Sequence, residues 1–136
     1  MRIENRADLR ELLLKARVIA VVGYSDKPYR TSYRIGQYLR NAGYKVYPVN
    51  PTISEIDGQP CYPNLSAVPE PIDIVDVFRR SEYLLQIVNE AIAVGAKAIW
   101  TQLGVVDEAA AQKADQAGLN VVMDHCIMVD HEALVV

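Results

Sequence analysis

The chain has 136 residues, of which 51% are hydrophobic and 23% are charged. This size and composition suffice for one core without disulfides or metals, and they exclude a disordered chain. The net charge of −3 and the pI near 5.3 give no broad basic field, so binding to nucleic acid or to a membrane surface has no electrostatic basis. We expect one domain spanning residues 1–136.

The amino-terminal residues alternate in charge, and no apolar run reaches the roughly 18 residues that span a membrane. The sequence therefore predicts a cytoplasmic protein. Cys61 and Cys126 lie far apart without a Cys-x-x-Cys pair, which predicts free thiols and no metal site.

In chain order, the apolar pattern predicts helices that alternate with strands. Apolar residues recur at helical spacing over residues 6–15, 32–41, 81–94 and 107–117. Short apolar runs predict strands at residues 18–22, 45–49, 72–78, 98–100 and 121–123. Ser81 is the expected N-cap of the third helix, residues 53–68 are expected to form a loop, and a short tail runs through His131.

Strands that are apolar throughout and alternate with helices are typical of a parallel sheet covered on both faces. The predicted fold is α/β, a doubly wound, Rossmann-like, three-layer sandwich with a five-stranded parallel sheet. We expect the strand order 3-2-1-4-5, which places the ligand crevice beyond the carboxyl ends of strands 1 and 4.

The predicted strand ends bring polar and basic residues to one rim. Gly23 ends the first strand, where a glycine lets a phosphate approach the backbone, and the first turn of the next helix attracts anions. The basic side chains near this rim are Lys27, Arg30, Arg34, Arg79 and Arg80. Taken singly, each could be ordinary solvated surface, Ser32 could simply cap the helix, and Gln102 and Gly104 could form a simple turn.

A dinucleotide site of the nicotinamide type is not indicated. Such a site needs Gly-x-Gly-x-x-Gly after the first strand and an acidic residue after the second. After Gly23 the next glycine is Gly36, and the second strand ends at Asn50-Pro51 with no carboxylate before Glu55. The crevice therefore suits a nucleotide that lacks a free ribose diol, such as coenzyme A (CoA), whose ribose carries a phosphate.

Four segments in this order, residues 19–28, 47–51, 75–80 and 100–105, resemble the stand-alone CoA-binding domain family. That family is similar to the amino-terminal domain of the succinyl-CoA synthetase α subunit. The resemblance implies that CoA is the cofactor and that its phosphates lie on one loop. The implied loop residues are Gly23, Tyr24, Ser25, Lys27, Arg30, Thr31 and Ser32. The implied adenosine neighbours are Val49, Asn50, Pro51, Phe78, Arg79 and Arg80, and the pantetheine path is implied to pass Gln102 and Gly104.

Tyr24 and His125 depart from the family pattern, which has a small residue and an arginine at these places. We expect Tyr24 to narrow the mouth of the loop. His125 lies beside Cys126, but neighbouring side chains point apart, and no orienting carboxylate is identifiable. Asp73 and Asp76 are expected to lie on opposite faces of their strand. The sequence thus predicts no catalytic residue.

The favoured function is a non-catalytic module that binds CoA or an acyl-CoA as a carrier or sensor. Two alternatives remain open. One is a nucleotide sensor of the NAD(P) type, and the other is a subunit of an acyl-CoA enzyme completed by a separate chain. The expected partner is a small molecule, and a protein partner is not specified by the sequence.

Overall fold

The structure, a computed structural model, describes residues 1–136. Its main sheet has five strands, and every neighbouring pair is parallel. The strands are β1 (Val18–Val22), β2 (Lys45–Val49), β3 (Ile74–Val77), β4 (Ala98–Thr101) and β5 (Asn120–Val122). The predicted α/β class and five-stranded parallel sheet are confirmed.

Five α-helices cover the two faces of the sheet. They are α1 (Arg6–Lys15), α2 (Thr31–Asn41), α3 (Leu84–Ala93), α4 (Glu108–Gln116) and α5 (Ile127–Leu134). Helices α1, α2 and α5 share one core cluster with one face of the sheet, and α3 and α4 share another cluster with the opposite face. None of the five helices has both the length and the apolar composition needed to cross a lipid bilayer.

The strand order is 2-1-3-4-5, so the predicted order 3-2-1-4-5 is wrong. β1 lies between β2 and β3, and Val21 is opposite Pro48 on one side and Asp76 on the other. The sequence could not separate the two orders, because both are built from right-handed crossovers between similar apolar strands. In the observed sheet the strand order reverses between β1 and β3. The ligand crevice is therefore expected at the carboxyl ends of these two strands.

Three local predictions also need correction. The predicted tail contains α5, whose helical pattern is weak because only Ile127 and His131 are buried. The predicted loop contains a hairpin, formed by Glu55–Ile56 and Gln59–Pro60, and a 3₁₀ turn. Ser81 does not cap α3, since its Oγ accepts a hydrogen bond from the Val106 amide at 2.8 Å and a 3₁₀ turn precedes that helix.

One ionisable residue, an aspartate, lies inside the core of the sheet. Asp76 is fully buried on β3 between Val21 and Trp100, and neither carboxylate oxygen has a hydrogen-bond partner. Burial raises the pKa of this carboxyl well above its usual range. Because a lone buried charge is strongly disfavoured, the side chain is held in its neutral form at the cost of stability.

Asp76→Val should stabilise the protein by about 1–3 kcal/mol at pH 7.5, because it replaces an unsatisfied polar group with an apolar one of similar size. A folded-state pKa above the unfolded one means that wild-type stability falls as the pH rises above about 4. The advantage of the variant should therefore shrink at pH 4.5. Urea unfolding at pH 7.5 and pH 4.5 measures the difference in stability between the variant and the wild type. A variant less stable than wild type at both pH values would contradict the description of Asp76 as a buried carboxyl without hydrogen-bond partners.

Candidate functional site

The rim between β1 and β3 is formed by closely packed backbone. Gly23 follows β1 with φ +88°, a conformation that L side chains rarely adopt. A Cβ built on this glycine would lie 3.4 Å from the carbonyl carbon of Phe78 and 3.4 Å from Cγ of Arg79. The positive φ therefore favours a glycine here, whereas a Cβ would make only ordinary van der Waals contacts with Phe78 and Arg79.

The loop that follows Gly23 is held by its own hydrogen bonds. The Ser25 amide donates to Oγ of Ser32 at 3.0 Å, the Lys27 amide donates to Oγ of Ser25 at 3.1 Å, and the Arg30 amide donates to the Lys27 carbonyl at 2.9 Å. Ser32 thus braces the loop instead of capping α2. These internal hydrogen bonds hold the loop in one conformation, and such preorganisation lowers the entropic cost of binding a ligand.

The amino terminus of α2 is open. Arg30 occupies the N-cap position without a side-chain cap, and no acidic residue lies in the first turn. The amides of Thr31, Ser32 and Tyr33 have no acceptor within the protein. Free first-turn amides at the positive end of a helix dipole form a binding site for an anion, phosphate in particular.

A concavity of about 510 Å³ lies in front of these amides. It brings together most of the predicted phosphate-binding residues, and its lining is Gly23, Ser25, Asp26, Lys27, Tyr29, Arg30, Thr31, Ser32 and Phe78. Lys27 and Arg30 are exposed and form no ion pair, although Arg30 lies 5.8 Å from the centre of the Tyr29 ring. Both cations are therefore free to meet an anionic ligand.

Tyr24 lies elsewhere than expected. Its side chain is fully buried, and a Cβ built on Gly36 of α2 would fall 2.2 Å from Cε2 of the tyrosine ring. The ring therefore does not narrow the mouth of the loop, and Tyr24, which is 0% exposed, offers no surface to a ligand there. Its carbonyl accepts a hydrogen bond from Nδ2 of Asn50 at 3.0 Å. Tyr24 ties the loop to both α2 and the end of β2.

Gly36→Ala tests this packing. In an ordinary helix the change would stabilise the protein by up to about 1 kcal/mol. Here the new methyl group would overlap the Tyr24 ring, so we expect a loss of about 1–3 kcal/mol, measured by thermal unfolding.

The matched control is Gly36→Ala combined with Tyr24→Leu, which removes the overlapping ring and should lose less than the sum of the two single changes. A Gly36→Ala variant more stable than wild type would contradict the described contact.

A second cavity, of about 460 Å³, lies beside the loop on the α3 face. Its lining is Val22, Val49, Pro51, Pro63, Asn64, Leu65, Arg79, Tyr83, Gln86, Ile87 and Glu90. The predicted adenosine neighbours Val49, Pro51 and Arg79 meet here, whereas Asn50 is used by Tyr24 and Thr52. Arg80 is exposed and lies 3.6 Å from Glu82, away from the cavity.

The two residues of the predicted pantetheine path have structural partners. Oε1 of Gln102, a buried residue, accepts a hydrogen bond from the Ile127 amide at 3.2 Å. The Gly104 amide donates to Oδ1 of Asp124 at 2.7 Å. Both follow β4, which β3 separates from Gly23. They lie on the same rim as the loop but one strand further from it than the predicted strand order implied.

His125 has a partner that the sequence did not reveal. Its Nδ1 lies 2.8 Å from Oδ2 of Asp130, and its ring packs edge-on against Trp100. An orienting carboxylate is thus present, contrary to expectation. It was missed because Asp130 lies in α5, which was predicted as a tail. No hydrogen bond connects the imidazole to Cys126, so the pair is not an assembled nucleophile and base.

Comparison with known proteins establishes the family of the chain. Residues 17–132 match the CoA binding domain family, and the chain belongs to that family. It is 43% identical over 131 residues to the uncharacterized protein YneT of Bacillus subtilis, covering 96% of this chain and 97% of that one. A solved structure of a hypothetical protein from Pyrococcus horikoshii superimposes with a TM-score of 0.95 at 40% identity, covering 98% and 94% of the two chains.

A more distant relative is much larger. An ADP-forming acetate–CoA ligase of Archaeoglobus fulgidus is 28% identical in an alignment of 127 residues that covers 86% of this chain but only 18% of the ligase. The chain is therefore homologous to the CoA-binding region of acyl-CoA synthetase-type enzymes and corresponds to a small part of that ligase.

Proposed function

We propose that the protein binds CoA or an acyl-CoA at the rim between β1 and β3 and acts as a carrier or sensor without catalysing a reaction. The observation that carries this proposal is the open first turn of α2 beside Gly23. The family of the chain supports CoA as the ligand, and the free amides with Lys27 and Arg30 support a pyrophosphate site at this turn.

The adjoining cavity suits the adenine base. Val22, Val49, Leu65 and Ile87 give it apolar walls, and it reaches the loop through Arg79, whose stem lies against Gly23. A planar purine fits apolar walls, while the charged phosphates remain at the helix end. The two cavities together match the separation of CoA into an apolar base and an anionic pyrophosphate.

A nucleotide sensor of the NAD type is less well supported. β2 ends at Val49, and the next residue, Asn50, has an amide side chain that is already bound to Tyr24 and Thr52. No carboxylate follows β2 to accept hydrogen bonds from a ribose diol, as such sites require.

A subunit of a larger enzyme remains the second candidate, because the ligase relative carries this fold as 18% of its length. The pair of His125 and Asp130 on the same rim is the one feature that could serve such chemistry. Turnover of acetyl-CoA or succinyl-CoA by the isolated chain, lost in His125→Gln, would support this candidate and overturn the non-catalytic proposal.

Lys27→Ala and Arg30→Ala should each weaken CoA binding by roughly 10- to 150-fold in calorimetric titration, since a charge-assisted hydrogen bond is worth about 1.5–3 kcal/mol. The melting temperature of the ligand-free protein should barely change, because both side chains are exposed and unpaired.

Arg34→Ala is the matched control. Arg34 is an exposed arginine on α2 that does not line the concavity, so its removal should leave the affinity within a few-fold of wild type. Unchanged CoA affinity in both Lys27→Ala and Arg30→Ala would remove the phosphate role from the loop. Binding of NAD as tight as that of CoA would overturn the ligand assignment.

A further inference from the structure

Arg79 is the one basic residue that lines the second cavity, and it has no acidic partner. It is half-buried, it forms no ion pair, and its guanidinium carbon lies 4.2 Å from the centre of the Tyr83 ring. Its neighbour Arg80 is exposed and lies near Glu82. Stacking on an aromatic ring fixes the plane of a guanidinium without consuming its five N–H donors.

Arg79 lines the second cavity and also lies near Gly23, which lines the first. Its Cγ lies 3.4 Å from the position that a Cβ on Gly23 would take, at the edge of the loop after β1, and its guanidinium reaches Tyr83 just before α3. In the proposed binding mode the pyrophosphate lies at α2 and the base lies between Val49 and Ile87. The ribose that joins them must therefore pass beside Arg79.

The second cavity also has one acidic lining residue, which disfavours an anion near it. Glu90 lies on α3, seven residues after Tyr83, and its Oε1 accepts a hydrogen bond from the Leu65 amide at 3.4 Å. A phosphate on the ribose would be repelled by this carboxylate and attracted by the guanidinium. The charges of the cavity thus direct a phosphate to the side occupied by Arg79.

We infer that Arg79, oriented by Tyr83, binds the 3′-phosphate of the CoA ribose and makes the site selective for CoA over dephospho-CoA. This inference rests on the proposed function and assigns two residues within it. Arg79 contacts the ligand, and Tyr83 is a positioning residue that acts through the guanidinium. A planar guanidinium can meet two phosphate oxygens at once, which a lysine cannot.

Calorimetric titration with CoA and with dephospho-CoA tests the inference. Arg79→Gln should weaken CoA binding by roughly 10- to 150-fold and change dephospho-CoA binding by less than about three-fold, because only CoA carries the lost contact. Arg79→Lys should retain part of the selectivity. Arg34→Gln is the matched control, because Arg34 is exposed and lines neither cavity, and it should leave both affinities near those of wild type.

Tyr83 is tested by the ratio of the two affinities. Tyr83→Phe keeps the ring and should keep the ratio, whereas Tyr83→Ala should lower it by weakening CoA more than dephospho-CoA. The inference would be overturned if Arg79→Gln lost the same affinity for CoA as for dephospho-CoA, or if the wild type bound the two ligands equally well. Either result would leave CoA binding by the protein intact. Failure of the wild type to bind CoA would instead overturn the proposed function itself.

Discussion

The contact between the Tyr24 ring and Gly36 fixes the geometry on which the proposed site depends. It places the first turn of α2 beside the end of β1, because the ring fills the space that the Cβ of any other residue type at position 36 would occupy. The open amides of that turn then lie next to Gly23, whose positive φ is a conformation that L side chains rarely adopt. The buried Tyr24 and Gly36 thus set the distance between helix and strand, and polar groups complete the loop between them.

The strand order determines which side chains lie beside Gly23. With β3 next to β1, Phe78 and Arg79 lie against Gly23, and the loop and the second cavity form one continuous rim. In the predicted order, β4 would have held this place and Gln102 would have been the neighbour of Gly23. The observed order therefore brings a basic residue, and not an amide, to the part of the site where the ribose would pass in the proposed binding mode.

Most of the fold could be predicted because its strands are continuous apolar runs and its first four helices have apolar residues at helical spacing. β1 and β2 have the predicted bounds, and α1 does as well. The order of the strands and the existence of α5 could not be predicted, since neighbouring parallel strands look alike in sequence and α5 buries only two residues. The residues of the loop were indicated by Gly23 and its basic neighbours together with the family resemblance, and their role in binding stays a prediction. The positions of Tyr24 and of Asp130 depend on tertiary packing, which periodicity does not report.

The most direct test of this account is an amide NMR titration of the protein with CoA. We expect the amide signals of Thr31, Ser32 and Tyr33 to show the largest shifts, because these donors would gain a phosphate acceptor. Lys97 and Asn120 line a separate concavity near the amino ends of the strands, and their signals should not move. Shifts that cluster around that concavity, with the first turn of α2 unaffected, would contradict the assignment of the site.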